Sequence, residues 1–170
     1  MGVKIGQYRK TDEKRFWPKV DKNGPIPEHR PELGPCWLWL GYITPNTADN
    51  RGGYGRFWLY RPGKPFKQIP AHRYAYELLV GPIGDGLEPD HLCRNRSCVN
   101  PSHVEPVTRR ENVLRGGNPQ AINARKTHCN QGHPLSGDNL RMENGSRRCR
   151  TCSRNAVLRW ERRHVTKGGG

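Results

Sequence analysis

The sequence predicts a small, irregular α+β fold of antiparallel hairpins and short helices, held together by cysteine and histidine side chains as much as by an apolar core. Only 32% of the 170 residues are hydrophobic, and the chain contains 20 Gly and 15 Pro. Such a composition is too lean for a large core, and small loop-rich folds usually need cross-links. Six Cys and seven His supply them, and the alternating segments between the loops are short.

The charge of the chain points to a polyanionic partner. Lys and Arg number 30 against 15 acidic residues, which gives a net charge of +15. Because this charge is spread along the whole chain, nucleic acid is favoured over a merely basic surface or tail. No apolar run approaches the roughly 18 residues of a membrane span, and the N-terminus has no signal-peptide or myristoylation pattern. We therefore expect no membrane partner, a cytoplasmic location, and metal ligation rather than disulfides.

Three regions are expected. Residues 1–33 are polar with prolines at 25, 27 and 31, which favours an irregular basic arm or a loose segment pinned by Phe16 and Trp17. Residues 34–117 would form the core domain. Residues 118–170 would form a linker followed by a C-terminal zinc-binding module with a basic helix.

The front of the core domain is expected to form strands and one helix. Residues 36–40 are apolar and predict a buried strand. Residues 54–60 alternate, turn at 61–65 and return as a second strand, with Phe57 on the packed face and Arg56 and Lys67 on the open one. That open face suits a nucleic-acid groove or plain solvent. Residues 71–80 have helical spacing and end at Gly81.

The central stretch, residues 90–112, carries the chemistry. Thr108 and Glu111 form a capping box, so Asn112 would lie near the start of a helix. Asp90 and His91 are adjacent on an extended segment, so their side chains point to opposite faces. A neutral imidazole can activate water near pH 7, while carboxylate and amide oxygens suit a hard divalent ion such as Mg²⁺. His91 would therefore act as the base, with Asp90 and Asn112 as metal ligands.

An arginine would complete this site by gripping a phosphate oxygen. Arg73 and Arg56 are the candidates, and sequence spacing does not choose between them.

The same stretch interleaves a zinc site with this one. Cys93, Cys98 and His103 would be three ligands, and Cys36 would close the site as the fourth, because it begins the apolar strand. Two alternatives stay open. A three-ligand zinc with an open position could itself be catalytic, and His103 could orient a loop rather than bind metal.

A second cluster follows, with the spacing of two zinc knuckles. His128 competes with His133 as its histidine ligand. A basic helix at residues 154–164 would present arginines to phosphates. The cluster ligands would be Cys129, His133, Cys149 and Cys152.

The central spacing resembles that of the His-Cys box homing endonucleases, a branch of the HNH, or ββα-metal, nuclease superfamily. Counted from His91, the matching positions are Cys93 at +2, Cys98 at +7, His103 at +12 and Asn112 at +21. The phrase that runs from Asp90 to His103 is also similar to HNH proteins carried by bacteriophages, as are residues 36–39, 53–56 and 71–77. The resemblance covers residues 36–116 and not the arm.

The resemblance implies a zinc-stapled ββα-metal nuclease fold and a site-specific, homing-type DNA endonuclease in a bacterial or phage-infected cell. It implies His91 as general base, Asn112 as Mg²⁺ ligand, and products with 5′-phosphate and 3′-hydroxyl ends. The implied structural zinc ligands are Cys36, Cys93, Cys98 and His103. With the second cluster, two structural Zn²⁺ ions and Mg²⁺ or another divalent cation are expected.

Three features of the sequence depart from the family patterns. Many HNH proteins have Asn where this chain has His103, which favours the zinc branch. An acid before the base is not required in the His-Cys box, so Asp90 as a ligand rests on the wider HNH pattern. The second cluster also differs in spacing from that of the His-Cys box.

Two other functions stay open: a non-catalytic zinc-stapled DNA-binding regulator and an RNA-acting nuclease. The expected partner is double-stranded DNA. If both strands are cut with one site per chain, a symmetric homodimer is favoured.

Overall fold

The computed structural model describes residues 8–45 and 53–165, and the chain divides into two compact units, residues 1–112 and 113–170. The predicted α+β class with small antiparallel hairpins is confirmed. The helices of the described residues are α1 (Lys10–Phe16), α2 (Ala71–Leu79), α3 (Arg109–Arg115), α4 (Pro119–Arg125) and α5 (Arg150–Val165). The strands of the same ranges are β1 (Val20–Asp21), β2 (Leu38–Trp39), β3 (Arg56–Leu59), β4 (Lys67–Pro70), β5 (Leu87–His91), β6 (Val104–Thr108), β7 (Leu140–Glu143) and β8 (Ser146–Cys149).

These strands pair in chain order as two-stranded antiparallel sheets, β1 with β2, β3 with β4, β5 with β6 and β7 with β8. Among the helices of the described ranges, none is both long and apolar enough to cross a membrane. The predicted unit boundary at 117 differs from the observed one at 112, which lies within α3.

The beginning of the chain differs from the irregular arm that its prolines predict. Phe16, at the end of α1, is fully buried and stacks on Trp39 with ring centroids 4.8 Å apart. It also contacts Phe57 and Tyr74, at 5.1 and 4.6 Å. Burial of this aromatic side chain ties α1 to the core, and β1 continues the tie by pairing with β2. The first seven residues of the expected arm lie outside the described residues.

The β3–β4 hairpin forms as predicted, with Phe57 buried at 2% exposure. One part of the prediction is wrong. The register pairs Leu59 with Lys67 and Arg56 with Pro70, and because faces alternate along a strand, Arg56 and Lys67 lie on opposite faces of the sheet. Alternation assigns faces within one strand, whereas only the register decides which residues of the partner share them.

Close packing at Gly55 joins this hairpin to β2 and α2. A side chain at this position would begin 2.6 Å from a ring carbon of Trp39, so the indole can lie directly against the backbone. The carbonyl of Gly55 accepts a hydrogen bond of 2.9 Å from the N–H of Ala71, the first residue of α2. The predicted helix is therefore anchored to the hairpin that precedes it.

The β5–β6 hairpin and α3 bring the central stretch together. The predicted capping box is confirmed: the Thr108 hydroxyl accepts from the Glu111 N–H at 3.2 Å, and the Glu111 carboxylate accepts from the Thr108 N–H at 3.0 Å. Since Thr108 pairs with Leu87, α3 starts beside the beginning of β5.

The second unit is more structured than the linker that the sequence predicts for its first part. Helix α4 is capped by the Asn118 side chain, which accepts from the N–H of Ala121 at 2.9 Å. The Arg147 guanidinium donates to the carbonyls of Ala124 and Lys126 at the end of α4 and to that of Leu135. These hydrogen bonds tie α4 to the β7–β8 hairpin, a long-range contact that local sequence does not encode.

Replacing Phe16 by Ala tests whether the beginning of the chain belongs to the core. Removal of a fully buried aromatic side chain should lower the free energy of unfolding by about 3–5 kcal/mol, measured by denaturant titration. The matched control is Phe66→Ala, since Phe66 is 54% exposed and its loss should cost far less. Equal effects of the two substitutions would mean that α1 does not stabilise the fold.

Candidate active site and metal clusters

Four buried side chains converge in the first unit: Cys36, Cys93, Cys98 and His103. Their ligand atoms lie within 4.8 Å of one another. His103 Nδ1 is 3.6 Å from the sulfurs of both Cys36 and Cys98. Three sulfurs and one imidazole nitrogen are a donor set that suits tetrahedral zinc. The cluster could hold zinc, and Cys36 completes it as the fourth ligand expected from the sequence.

The tautomer of His103 fits a metal ligand. Its Nε2 lies 2.9 Å from the carbonyl oxygen of Leu33, which can only accept a hydrogen bond, so Nε2 carries the proton. The Nδ1 lone pair is thereby directed at the sulfurs. Outer hydrogen bonds of this kind typically orient histidine ligands.

The thiols of this cluster cannot all ionise without a cation. Burial raises the pKa of Cys36 to about 11. The hydrogen bond from the Cys98 thiol lowers the pKa of Cys93 to about 4, and the same bond raises the pKa of Cys98. Three buried thiolates would repel one another, and a divalent ion would remove this penalty.

His91 is held by the same loop that carries the cluster. It ends β5, is 5% exposed, and its Nε2 lies 3.0 Å from the carbonyl oxygen of Cys98. Because a carbonyl only accepts, Nε2 carries the proton and Nδ1 keeps its lone pair. Burial lowers the pKa of His91, although the hydrogen bond to Cys98 acts in the opposite direction. Burial thus favours the neutral imidazole, the form that a general base needs.

A second buried histidine contacts His91. The ring centroid of His72 on α2 lies 4.4 Å from that of His91. The ring centroid of Tyr54 lies 5.9 Å from that of His91. Burial, followed by the charges of His91 and Arg56, lowers the pKa of His72 well below its usual value. Its Nδ1 is enclosed and has no hydrogen-bond partner within the described residues. Burial thus favours the neutral form of both imidazoles.

Asp90 and Asn112 have different partners from those expected. The Asp90 carboxylate accepts a hydrogen bond of 2.7 Å from the Arg94 guanidinium. The backbone of Arg94 has a positive φ of 56°. The Asn112 amide donates to the carboxylate of Glu88 at 2.8 Å. Glu88 and Asp90 are two residues apart on β5, so they share the face on which Asn112 lies, and His91 points to the other face.

The two candidate arginines are in different environments. Arg73 donates from Nε to the buried carboxylate of Glu77 at 2.7 Å, so this nitrogen already has a hydrogen-bond partner within the fold. Arg56 lies at the start of β3, close enough to His72 to depress its pKa. Its Nε is buried and, among the residues that the structure describes, has no hydrogen-bond partner. A buried donor of this kind is costly unless a ligand satisfies it.

The second cluster lies in the second unit and comprises Cys129, His133, Cys149 and Cys152, with ligand atoms within 4.8 Å of one another. His133 Nδ1 is 3.3 Å from the Cys152 sulfur, whereas His128 is outside the group and contacts Thr127.

The start of α5 supports this cluster. The backbone N–H of Cys152 donates to the Cys149 sulfur at 3.4 Å, and this is the main reason why the pKa of Cys149 falls to about 6. Asn139 accepts from the N–H of Thr151 at 3.0 Å and donates to the same sulfur. The cluster is therefore built on the first turn of α5 and could hold a second zinc.

Sequence reasoning missed three residues of the first unit: His72, Glu88 and Arg94. His72 stands beside Arg73 in the segment that resembles phage HNH proteins, so its position was visible although its role was not. Glu88 lies three residues before His91, and its carboxylate was the only sign in the sequence that it could belong to the site. Nothing local distinguishes Arg94 from the other arginines of the loop.

Comparison with known proteins agrees with this geometry. The HNH endonuclease family matches residues 70–114, which include α2, the β5–β6 hairpin and most of α3. The resemblance to HNH endonucleases is thus confirmed over this segment.

Two viral proteins are similar to part of the chain. The uncharacterized gene 5.3 protein of Enterobacteria phage T3 is 37% identical over 68 residues, 39% of this chain and 66% of that protein. An uncharacterized protein of Acanthamoeba polyphaga mimivirus is 31% identical over 71 residues, 41% of this chain and 19% of that protein. No solved structure matches the chain.

Elemental analysis tests both clusters. We expect two zinc ions per chain in the purified protein. Cys98→Ala should lose one zinc and unfold the first unit, because metal binding and folding are coupled. Cys152→Ala is the matched variant and should lose the other zinc. Wild-type protein without zinc, or variants that keep both ions, would contradict this assignment.

Proposed function

We propose that this chain, whose residues 70–114 match the HNH endonuclease family, is a metal-dependent endonuclease that hydrolyses phosphodiester bonds of double-stranded DNA. The observation that carries the proposal is the hydrogen bond between His91 Nε2 and the Cys98 carbonyl. It leaves the Nδ1 lone pair of a neutral imidazole as a proton acceptor. Such a base is what the attacking water requires.

The donors on the face of β5 opposite to His91 fit a hard divalent cation. Asp90 and Asn112 offer carboxylate and amide oxygens, the ligands that Mg²⁺ prefers. Asp90 shares a face of β5 with Glu88, and Asn112 on α3 donates a hydrogen bond to Glu88. Bound there, such an ion would offset the negative charge on the phosphate and on the leaving oxygen. The Asp90–Arg94 ion pair holds the carboxylate in place. We assign Asp90 and Asn112 as the Mg²⁺ ligands on this basis.

In the proposed reaction, His91 Nδ1 takes a proton from a water molecule, and the water oxygen attacks phosphorus. The bond between phosphorus and the 3′ oxygen breaks, and that oxygen takes a proton from solvent. The products carry 5′-phosphate and 3′-hydroxyl ends. Arg56 would hold a phosphate oxygen beside His72, since its enclosed Nε needs a partner.

The biological setting of the proposal is a phage-infected bacterial cell. The similarity to a phage T3 protein supports it, and site-specific cleavage of a homing type would suit a viral gene. Cleavage of both strands by one site per chain would require two copies, so a homodimer on DNA belongs to the same proposal.

A second candidate function is a non-catalytic DNA-binding regulator. It is favoured by α5, whose side chains from Ser153 to His164 are exposed. Arginines spread along such a helix can bind phosphates without sequence preference. The exposed basic residues of this helix are Arg154, Arg159, Arg162 and Arg163.

Plasmid cleavage separates the two functions. Wild-type protein should nick or cut DNA with Mg²⁺ and fail with EDTA, and a parallel RNA substrate should resist. His91→Ala should reduce the rate by about 10²–10⁴-fold through loss of the general base. Asn112→Ala should also lose cleavage while keeping both zincs. DNA binding by wild-type protein without cleavage of any sequence in a target library would favour the regulator.

Two arginine variants test which guanidinium contacts the phosphate. Arg56→Ala should lower kcat by about 10²–10³-fold, as the loss of one transition-state donor does, with little change in stability. Arg73→Ala should chiefly lower the free energy of unfolding, because it leaves the buried Glu77 carboxylate without its cation and, among the described residues, with only the hydrogen bond from the Tyr8 hydroxyl. Rates and unfolding curves of both variants give the comparison, and the reverse pattern would assign the phosphate contact to Arg73.

A further inference from the structure

The contact between Glu88 and Asn112 fixes which way the Asn112 amide points. Asn112 Nδ2 donates to Glu88 Oε2 at 2.8 Å, and both side chains are half-buried. An ionised carboxylate can only accept hydrogen bonds. The amide must therefore turn its NH₂ toward Glu88, and its oxygen faces away from that carboxylate.

No other feature of α3 supplies this constraint. The Thr108–Glu111 capping box positions the backbone of the first turn. It does not set the terminal torsion of an asparagine side chain, which is broad and close to two-fold. Without Glu88, the amide could present either its oxygen or its NH₂ group, and only the oxygen can bind a cation.

We propose that Glu88 is a positioning residue that holds the Asn112 amide oxygen toward the divalent cation. The inference rests on the proposed nuclease function and adds a residue to its metal site. Glu88 acts through Asn112 rather than by binding the ion. Its role is analogous to the outer carboxylates that orient ligands in other metal sites.

The location of Glu88 is consistent with this role. It pairs with the buried Val107 across the hairpin and shares a face of β5 with Asp90. The carboxylate is thus attached to the strand that carries the other proposed ligand, so strand and helix are tied at the metal site by one hydrogen bond.

Calorimetric titration of the zinc-loaded full chain with Mg²⁺, in the absence of DNA, tests the proposal. Glu88→Ala should weaken Mg²⁺ binding by about 10–100-fold, the usual cost of losing an outer partner. Glu88→Gln should retain more Mg²⁺ affinity than Glu88→Ala, because its amide oxygen can still accept the same hydrogen bond, although its NH₂ group can also donate. The control Glu28→Ala removes an exposed carboxylate of the same unit and should leave the Mg²⁺ affinity unchanged.

The outcomes are distinguishable. If wild-type protein neither binds Mg²⁺ nor cuts DNA, the proposed function fails and this inference with it. If wild-type protein does both and Glu88→Ala binds Mg²⁺ equally well, the inference alone is overturned. If Glu88→Gln falls as far as Glu88→Ala, Glu88 binds the ion directly and the positioning role is wrong.

Nuclear magnetic resonance of the metal-free wild-type protein keeps the test open should Glu88→Ala fail to fold. One side-chain amide proton of Asn112 should be shifted downfield and exchange slowly, and it should keep both properties when Mg²⁺ is added. Two freely exchanging amide protons would overturn the proposal.

Discussion

The site depends on the double use of Cys98. Its sulfur belongs to the buried cluster of three cysteines and His103, while its carbonyl accepts the hydrogen bond from His91 Nε2. The same residue forms an antiparallel β-bridge with Leu38 of β2. One residue therefore joins the cluster that could hold zinc, strand β2 and the proposed base. A metal that immobilises its sulfur also immobilises the peptide that sets the tautomer of His91.

The β5 strand separates two chemical environments. On one face, His91 contacts His72, and burial lowers the pKa of both rings. On the other face lie Asp90 and Glu88, with Asn112 on α3 reaching Glu88. A general base must be neutral, whereas a cation site needs negatively charged ligands. Because successive side chains of a strand point to opposite faces, β5 can place the base on one face and the cation ligands on the other. A phosphate at the end of β5 would meet both.

The second unit also contains a cysteine and histidine cluster and a long-range arginine hydrogen bond. Its cluster joins Cys129 and His133, which lie between α4 and β7, to Cys149 at the end of β8 and Cys152 in the first turn of α5. Arg147 links the β7–β8 hairpin to α4. In both units, cysteine and histidine clusters together with arginine hydrogen bonds replace much of the apolar packing that a chain with 32% hydrophobic residues lacks.

The sequence alone determined the features that depend on local spacing. Cys93, Cys98 and His103 lie in one loop, and the Thr108–Glu111 capping box starts α3, so the position of Asn112 within that helix could be predicted. The approach of Cys36 to this loop could also be anticipated, because few cysteines remained.

Only the tertiary structure decided which distant side chains meet. It pairs Asn112 with Glu88 rather than Asp90, commits Arg73 to Glu77 while leaving the Nε of Arg56 enclosed, and places Arg56 and Lys67 on opposite faces. The physical reason is that strand register and helix packing set these contacts. Both arise from the burial of side chains far apart in the chain, such as Phe16 against Trp39, and no local pattern records them.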